Sequence, residues 1–183
     1  MLFHQEEFLG KNGICYTLRS PNNEDARQML DYLKTSAGET DYGLSYPEEM
    51  TFSIEEEESF IAHYSADPGN LMISAFAGER LVGNASLSCV MDRQKTLHRA
   101  TFGIAILRSE WGQGLGKKIV SELIQAAKQA GYEVLELEVS SANTPAINLY
   151  KQLGFSIYGE RPRSLKRKDG SYYSELLMML DLA

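Results

Sequence analysis

The chain reads as a mixed α/β domain built around one strand–helix–strand crossover, on three observations. Strand-like and helix-like stretches alternate along its 183 residues, as an α/β fold requires. A glycine-rich turn from Gly112 to Gly116 separates a strand pattern from an amphipathic helix, and a further strand follows. Turn residues at Gly78, Glu79 and Arg80, and again at Asp169 and Gly170, each divide two strand-like runs into a hairpin.

Taken in order, Gly13–Ser20 alternates as a strand, and Asn22–Lys34 is a helix with Ala26, Met29, Leu30 and Leu33 on one face. Thr35–Met50, rich in Gly, Ser, Glu and Tyr, is expected to be a loop. Ser53–Ala66 gives a second helix carrying Ile54, Phe60, Ile61 and Tyr64, and Asn70–Val90 gives the first hairpin. His98–Leu107 is a strand that ends directly before the glycines. The helix behind them keeps Val120, Leu123, Ile124 and Ala127 on one face and stops at Gly131. With Tyr132–Val139 as the next strand, His98–Val139 forms a crossover, which implies two parallel strands joined right-handedly. Asn143–Gly154 is a short helix with Ala146, Leu149, Tyr150 and Leu153 apolar, and the tail after it is the final hairpin. No repeat or linker interrupts the chain, so residues 1–183 are expected to form one domain.

Composition narrows the function classes. Eighteen Lys and Arg against 25 Asp and Glu leave a formal charge of −7, which argues against a nucleic-acid partner. Cys15 and Cys89 have no metal-ligand spacing and fit a reducing compartment. The N-terminus is acidic and short of apolar residues, and no run approaches the ~18 needed to span a membrane. A cytoplasmic protein is expected, with no nucleic-acid or membrane partner and no metal.

The glycine turn carries the first chemical clue. No Ser, Thr, Asp or Asn stands in front of the helix to cap it, and Lys117 and Lys118 oppose the positive end of its dipole. Successive backbone N–H groups in such a turn converge on an anion, and glycine lets the backbone approach it. A phosphate group resolves both anomalies. The spacing fits neither a nucleoside-triphosphate loop, since Gly112 and Gly116 have three residues between them and Lys118 replaces the hydroxyl, nor the G-x-G-x-x-G dinucleotide motif.

"WGQGLG" followed by "SSANTPAINLYKQLGF" resembles the acetyl-CoA-binding core of the GNAT superfamily of N-acetyltransferases. Gly114 and Gly116 match the two small positions of the family's loop; Asn143, Ala146, Leu149, Tyr150, Gly154 and Phe155 match its second block. The likeness spans roughly Thr101 to Phe155, and Trp111 stands where the family usually has Gln or Arg. It implies a largely antiparallel mixed central sheet with helices on both faces. It also implies an acetyl-CoA-dependent acyltransferase that acetylates a primary amine by direct attack, as a monomer or homodimer.

The same resemblance assigns roles. Trp111, Gly112, Gln113, Gly114, Leu115, Gly116 and Lys117 would form the pyrophosphate loop. The strand before it would splay from the next, with backbone around Ile106 and Leu107 holding the acetyl-pantetheine arm. Tyr150 matches the general acid for the departing thiolate, or is an aromatic anchor of its helix. Asn143 either holds the pantetheine amides or caps the helix that begins near Pro145, with Thr144 an equal candidate for the cap. The base is not identified: the strand glutamate of many relatives is missing from "RATFGIAI". Glu136 and Glu138 share a strand face, either as exposed carboxylates or as bases, and His98 is a further candidate. Cys89 lacks an activating neighbour in sequence. Glu55–Glu58, with Glu39, Asp41, Glu48 and Glu49, is either a solvated face or an acidic rim drawing a cationic amine. A non-catalytic acetyl-CoA-binding module and a nucleotide-binding protein are the alternatives to an enzyme.

Overall fold

The computed structural model describes residues 1–183. Its strands are β1 Glu6–Leu9, β2 Cys15–Arg19, β3 Leu71–Ala77, β4 Arg80–Cys89, β5 Arg99–Ile106, β6 Val134–Ser140, β7 Ser156–Lys166 and β8 Tyr172–Asp181. Its helices are α1 Ala26–Glu39, α2 Ile54–Ala66, α3 Leu115–Gln129 and α4 Thr144–Gln152. All the strands join one sheet in the order β1-β2-β3-β4-β5-β6-β8-β7. Every neighbouring pair is antiparallel except β5 and β6. That one parallel pair is the crossover through α3.

The caps and faces follow from local chemistry. Ser53 accepts from the Glu56 N–H while the Glu56 carboxylate accepts from the Ser53 N–H, a reciprocal box that starts α2. In α3, Val120, Leu123, Ile124 and Ala127 are all buried, and Gly131 takes φ 82° just beyond its end. Two expectations need correction. The segment Thr35–Glu39 is not loop but the last turns of α1. The Thr35 and Ser36 hydroxyls donate to the carbonyls of Asp31 and Leu33, which absorbs these polar residues into the helix. The N-terminal segment, for which no element was expected, forms the edge strand β1 against β2.

The sheet separates two helical layers. A Cβ placed on Gly116 of α3 would lie 3.3 Å from Leu149 and 3.4 Å from Ile106. Tyr150 of α4 meets the Phe102 ring edge-on, so α3 and α4 cover the face carrying Phe102 and Ile106. On the other face, Tyr32 and Leu33 of α1 line a depression with Asn84, Ser86, Gly103 and Ala105. One continuous apolar core runs through the molecule, with Leu18, Ile73, Leu87, Leu123, Leu135 and Met178 among its members.

The sheet splits at one place. β5 and β6 pair only from Arg99↔Val134 to Thr101↔Glu136, yet β5 continues to Ile106 and β6 to Ser140. Each strand stays paired on its outer side, β5 to β4 as far as Ile106 and β6 to β8 as far as Ser140. The gap therefore opens toward the glycine turn.

Candidate active site

At the mouth of the split, the glycine turn shows a row of free donors. Gly112 and Gly114 have φ 77° and 89°, and Gly114 is the N-cap of α3 with no side-chain cap. The first bond into the helix runs from the Lys118 N–H to the Gly114 carbonyl; no N–H from Gly112 to Lys117 donates to a protein acceptor. Leu115 contributes only its backbone, because its side chain is buried in the core. Gly116 is glycine for a different reason than expected. Its φ is ordinary, and what crowds a side chain there is the close approach of Leu149 and Ile106.

The two lysines part company. Lys117 is exposed and free of ion pairs, whereas Lys118 lies between Glu6 (2.7 Å) and Glu122 (2.8 Å). Lys118 is thus committed to carboxylates rather than to an anion in the turn, a correction to its expected role. The strand missing from the sequence reading supplies Glu6. β1 also brings Phe8 within 3.5 Å of a Cβ built on Gly114, and the Lys11 N–H donates to the Gln113 carbonyl.

Glu110, just ahead of the glycines, is a buried anchor that sequence reasoning did not single out. It accepts from the Tyr16 hydroxyl (2.7 Å), Arg80 (2.6 Å) and Ser109 (2.7 Å). Burial would raise its carboxyl, but the hydrogen bonds from Ser109 and Tyr16 and the Arg80 charge hold it below the ordinary range.

Register decides which β5 groups face the split. The Leu107 N–H donates to Val82 (2.8 Å) and the Val90 N–H to Arg99 (3.0 Å), which fixes the phase of the β4–β5 ladder. Phe102, Ile104 and Ile106 then fall in the non-bonded pairs, and their backbone groups point away from β4 toward β6. The Leu107 N–H is used by Val82 and its carbonyl accepts from the Glu110 N–H, so the free N–H of the expected pair is that of Ile106. The Trp111 indole N–H donates to the Ile106 carbonyl at 2.7 Å, and Gln113 Nε2 donates to the Trp111 carbonyl.

Tyr150 packs against Phe102 and Phe155, and burial pushes its phenol up to about 12. Asn143 is the N-cap of α4, its side chain accepting from the Ala146 N–H at 3.3 Å. Ser140, at the open end of β6, buries a hydroxyl that has no hydrogen-bond partner.

Both strand glutamates considered as bases are engaged. Glu136 is held by Arg99, and Glu138 accepts both terminal nitrogens of Arg161 (2.6 and 2.7 Å), which lowers its carboxyl. Arg161 also reaches buried Glu175, which accepts from Ser164. His98 and Cys89 lie at the paired end of β5, away from the opening. The acidic segment is likewise engaged: Asp41 pairs with Arg167, Glu48 with Lys168, and Glu39 accepts from the Arg108 N–H. Glu57 of α2 is buried, and burial raises its carboxyl.

The acetyltransferase (GNAT) family matches residues 15–155. Over 71 residues the chain is 34% identical to an L-methionine sulfoximine/L-methionine sulfone acetyltransferase of Pseudomonas aeruginosa, covering 39% of this chain and 41% of that one. Over 78 residues it is 36% identical to the [ribosomal protein bS18]-alanine N-acetyltransferase of Escherichia coli, covering 42% and 53%. These matches thus span about half or less of the curated relatives' length. Among solved structures, a GNAT-family acetyltransferase from Streptococcus pneumoniae has the same fold, with TM-score 0.86 at 24% identity over 92% of this chain and 99% of that one. A Salmonella typhimurium structure described with its cofactor acetyl-CoA gives 0.81 at 19% identity over 92% and 94%.

Proposed function

The chain belongs to the GNAT acetyltransferase family, and on that premise we propose that it transfers the acetyl group of acetyl-CoA to a primary amine of a small molecule or peptide. The observation that carries this reading is the coincidence of the free N–H row at Gly112–Lys117 with the split between β5 and β6. The donors suit a pyrophosphate, and the split suits an extended chain that hydrogen-bonds like a strand. The orphaned Ser140 hydroxyl and the Asn143 amide, whose NH₂ is not used by the cap, are further polar groups suited to the pantetheine arm.

In this mechanism each group of the chain has one task. The backbone from Gly112 to Lys117 holds the pyrophosphate, with Lys117 adding charge. The Ile106 N–H donates to the thioester oxygen and stabilises the negative charge that develops there. Exposed Gly103 and Ala105 leave the floor of the acceptor side open, so the amine approaches from the α1 face. Tyr150 gives its proton to the departing sulfur, and a phenol shifted to about 12 stays protonated at neutral pH. With the nearby carboxylates engaged by arginines, the ammonium proton leaves through ordered water. Glu138 and Glu175 facing the one guanidinium of Arg161 leave that wall negative, which favours a cationic acceptor. The named substrates of the relatives include both an amino-acid analogue and a protein alanine, so both classes belong in the test.

The test is a screen of free amino acids, polyamines and short peptides with acetyl-CoA, read by thiol release, beside calorimetric titration with CoA. Turnover of at least one amine is expected. CoA binding without turnover of any would turn the reading toward a non-catalytic module, and no binding at all would end it.

A further inference from the structure

Tyr32 sits on the buried face of α1 and is 3% exposed. Its hydroxyl bonds to both strands of the β4–β5 ladder. The Tyr32 O–H donates to the Ala105 carbonyl at 2.6 Å, and the Asn84 N–H donates to the Tyr32 oxygen at 3.1 Å. Asn84 and Ala105 are register partners, and the ladder phase makes them a hydrogen-bonded pair. Such a pair can exchange both of its bonds directly, so the sheet has no need of a phenol there. A helix side chain nonetheless bonds to both members of this rung next to the split.

The consequence lies one peptide on. The Ala105 carbonyl and the Ile106 N–H belong to the same amide, and that N–H points into the split. A hydrogen bond accepted by an amide carbonyl polarises the amide and makes its N–H a stronger donor. The following amide is held as well, by the Trp111 indole on the Ile106 carbonyl and by Val82 on the Leu107 N–H. The Ile106 N–H is therefore framed on both sides by fixed peptides.

We propose that Tyr32 is a positioning residue for acetyl transfer: through the Ala105 carbonyl it orients and strengthens the Ile106 N–H as the donor to the thioester oxygen. This rests on the acetyl-CoA reading above and names a group that acts without touching the substrate. The chain Asn84 N–H, Tyr32 O–H, Ala105 carbonyl, Ile106 N–H links α1 to the reacting carbonyl. It also gives Trp111 a use as the clamp on the adjoining peptide.

The experiment is isotope-edited infrared spectroscopy of acetyl-CoA labelled with ¹³C at the thioester carbonyl, bound to the full chain. In the unsubstituted protein the carbonyl band should lie below its position for free acetyl-CoA. In Tyr32→Phe the band should return part of the way, because Asn84 and Ala105 can re-pair directly and the fold survives. Replacing Tyr32 with a fluorotyrosine, a stronger donor, should move the band further down. CoA lacking the acetyl group should bind Tyr32→Phe within about twofold of the parent, since the effect is confined to the acetyl carbonyl. Turnover in Tyr32→Phe should fall about tenfold with little change in KM for acetyl-CoA, less than the 10²–10³ for deleting an oxyanion donor outright. A bound band at one position in all three proteins overturns the role of Tyr32 and leaves the acetyltransferase reading standing. Absence of any bound band in the parent overturns both.

Discussion

The two edges of β5 are unlike. Toward β4 the strand keeps register through seven pairs, from Gly83↔Ile106 to Cys89↔Ala100; toward β6 it keeps three and then parts. The difference shows how one strand holds its structure through one edge while the backbone groups of the other stay unpaired. Antiparallel pairing uses the backbone groups of alternate residues, so the bonded edge engages Thr101, Gly103 and Ala105 and leaves Phe102, Ile104 and Ile106 facing the other way. Opening the β6 edge therefore costs the β4 edge nothing. The bonded edge is also where a helix reaches in, through Tyr32 at Ala105.

The largest expected effect tests whether the open edge is a reaction site or merely a gap. Tyr150→Phe keeps the ring contacts with Phe102 and Phe155 and removes only the hydroxyl. Turnover should fall by roughly 10²–10⁴ with little change in acetyl-CoA affinity. Full activity would return Tyr150 to packing alone. The pH dependence has a definite sign. The folded value is raised from an ordinary 10 to about 12, so the neutral buried phenol contributes stability that is present below pH 10 and lost as pH rises through about 12. Stability of the parent against denaturation should fall over that window more than that of Tyr150→Phe.

A smaller effect separates the two reasons for glycine in the turn. Gly114 is in the left-handed region, where a side chain costs about 1–2 kcal/mol, so Gly114→Val should distort the turn and weaken CoA binding about tenfold or more. At Gly116 the backbone is ordinary and only side-chain tips are met, Leu149 and Ile106 at 3.3 and 3.4 Å. Gly116→Ala should therefore cost several-fold less, while Gly116→Val presses harder on both neighbours. Calorimetric titration with CoA measures all three. Unchanged affinity in a folded Gly114→Val protein would remove the anion assignment.

What the sequence reveals follows the reach of its contacts. The crossover and glycine turn are legible because their signals are local: the helix period of Val120 to Ala127, the Gly131 stop, and the cap at Asn143 next to Pro145. β1 has no such signal, being a short edge whose residues are mostly exposed. The acceptor side is the least legible, because its contacts join distant segments. Tyr32 reads as one more helical aromatic until the Ala105 carbonyl, 73 residues away, accepts a hydrogen bond from its hydroxyl. A tyrosine three residues from Met29 on a buried face is nonetheless a signal, since a buried phenol needs a partner. Glu136 and Glu138 were correctly placed on one face, yet their arginines come from β5 and β7.

The smallest expected effect concerns the rim, and its sign matters more than its size. The loop after α1 meets the β7–β8 turn through Asp41 with Arg167 and Glu48 with Lys168. The Lys168 N–H also donates to the Tyr46 hydroxyl at 3.1 Å, and its ammonium lies 4.2 Å from the Tyr46 ring centre. These groups are exposed and screened by salt, so any one substitution should change kcat/KM for the amine by about fivefold at most and leave kcat alone. Two roles for Glu48 give different signs. If Glu48 draws in a cationic amine, Glu48→Gln should lower kcat/KM, whereas Lys168→Gln, by freeing the carboxylate, should raise it. If the pair is a latch that shapes the mouth, both substitutions should shift kcat/KM in the same direction, as should added salt. The ammonium–ring contact and the backbone bond at Lys168 do not depend on the carboxylate and favour the latch, so like signs are expected. Opposite signs in steady-state kinetics on the two variants would restore Glu48 as a capture group.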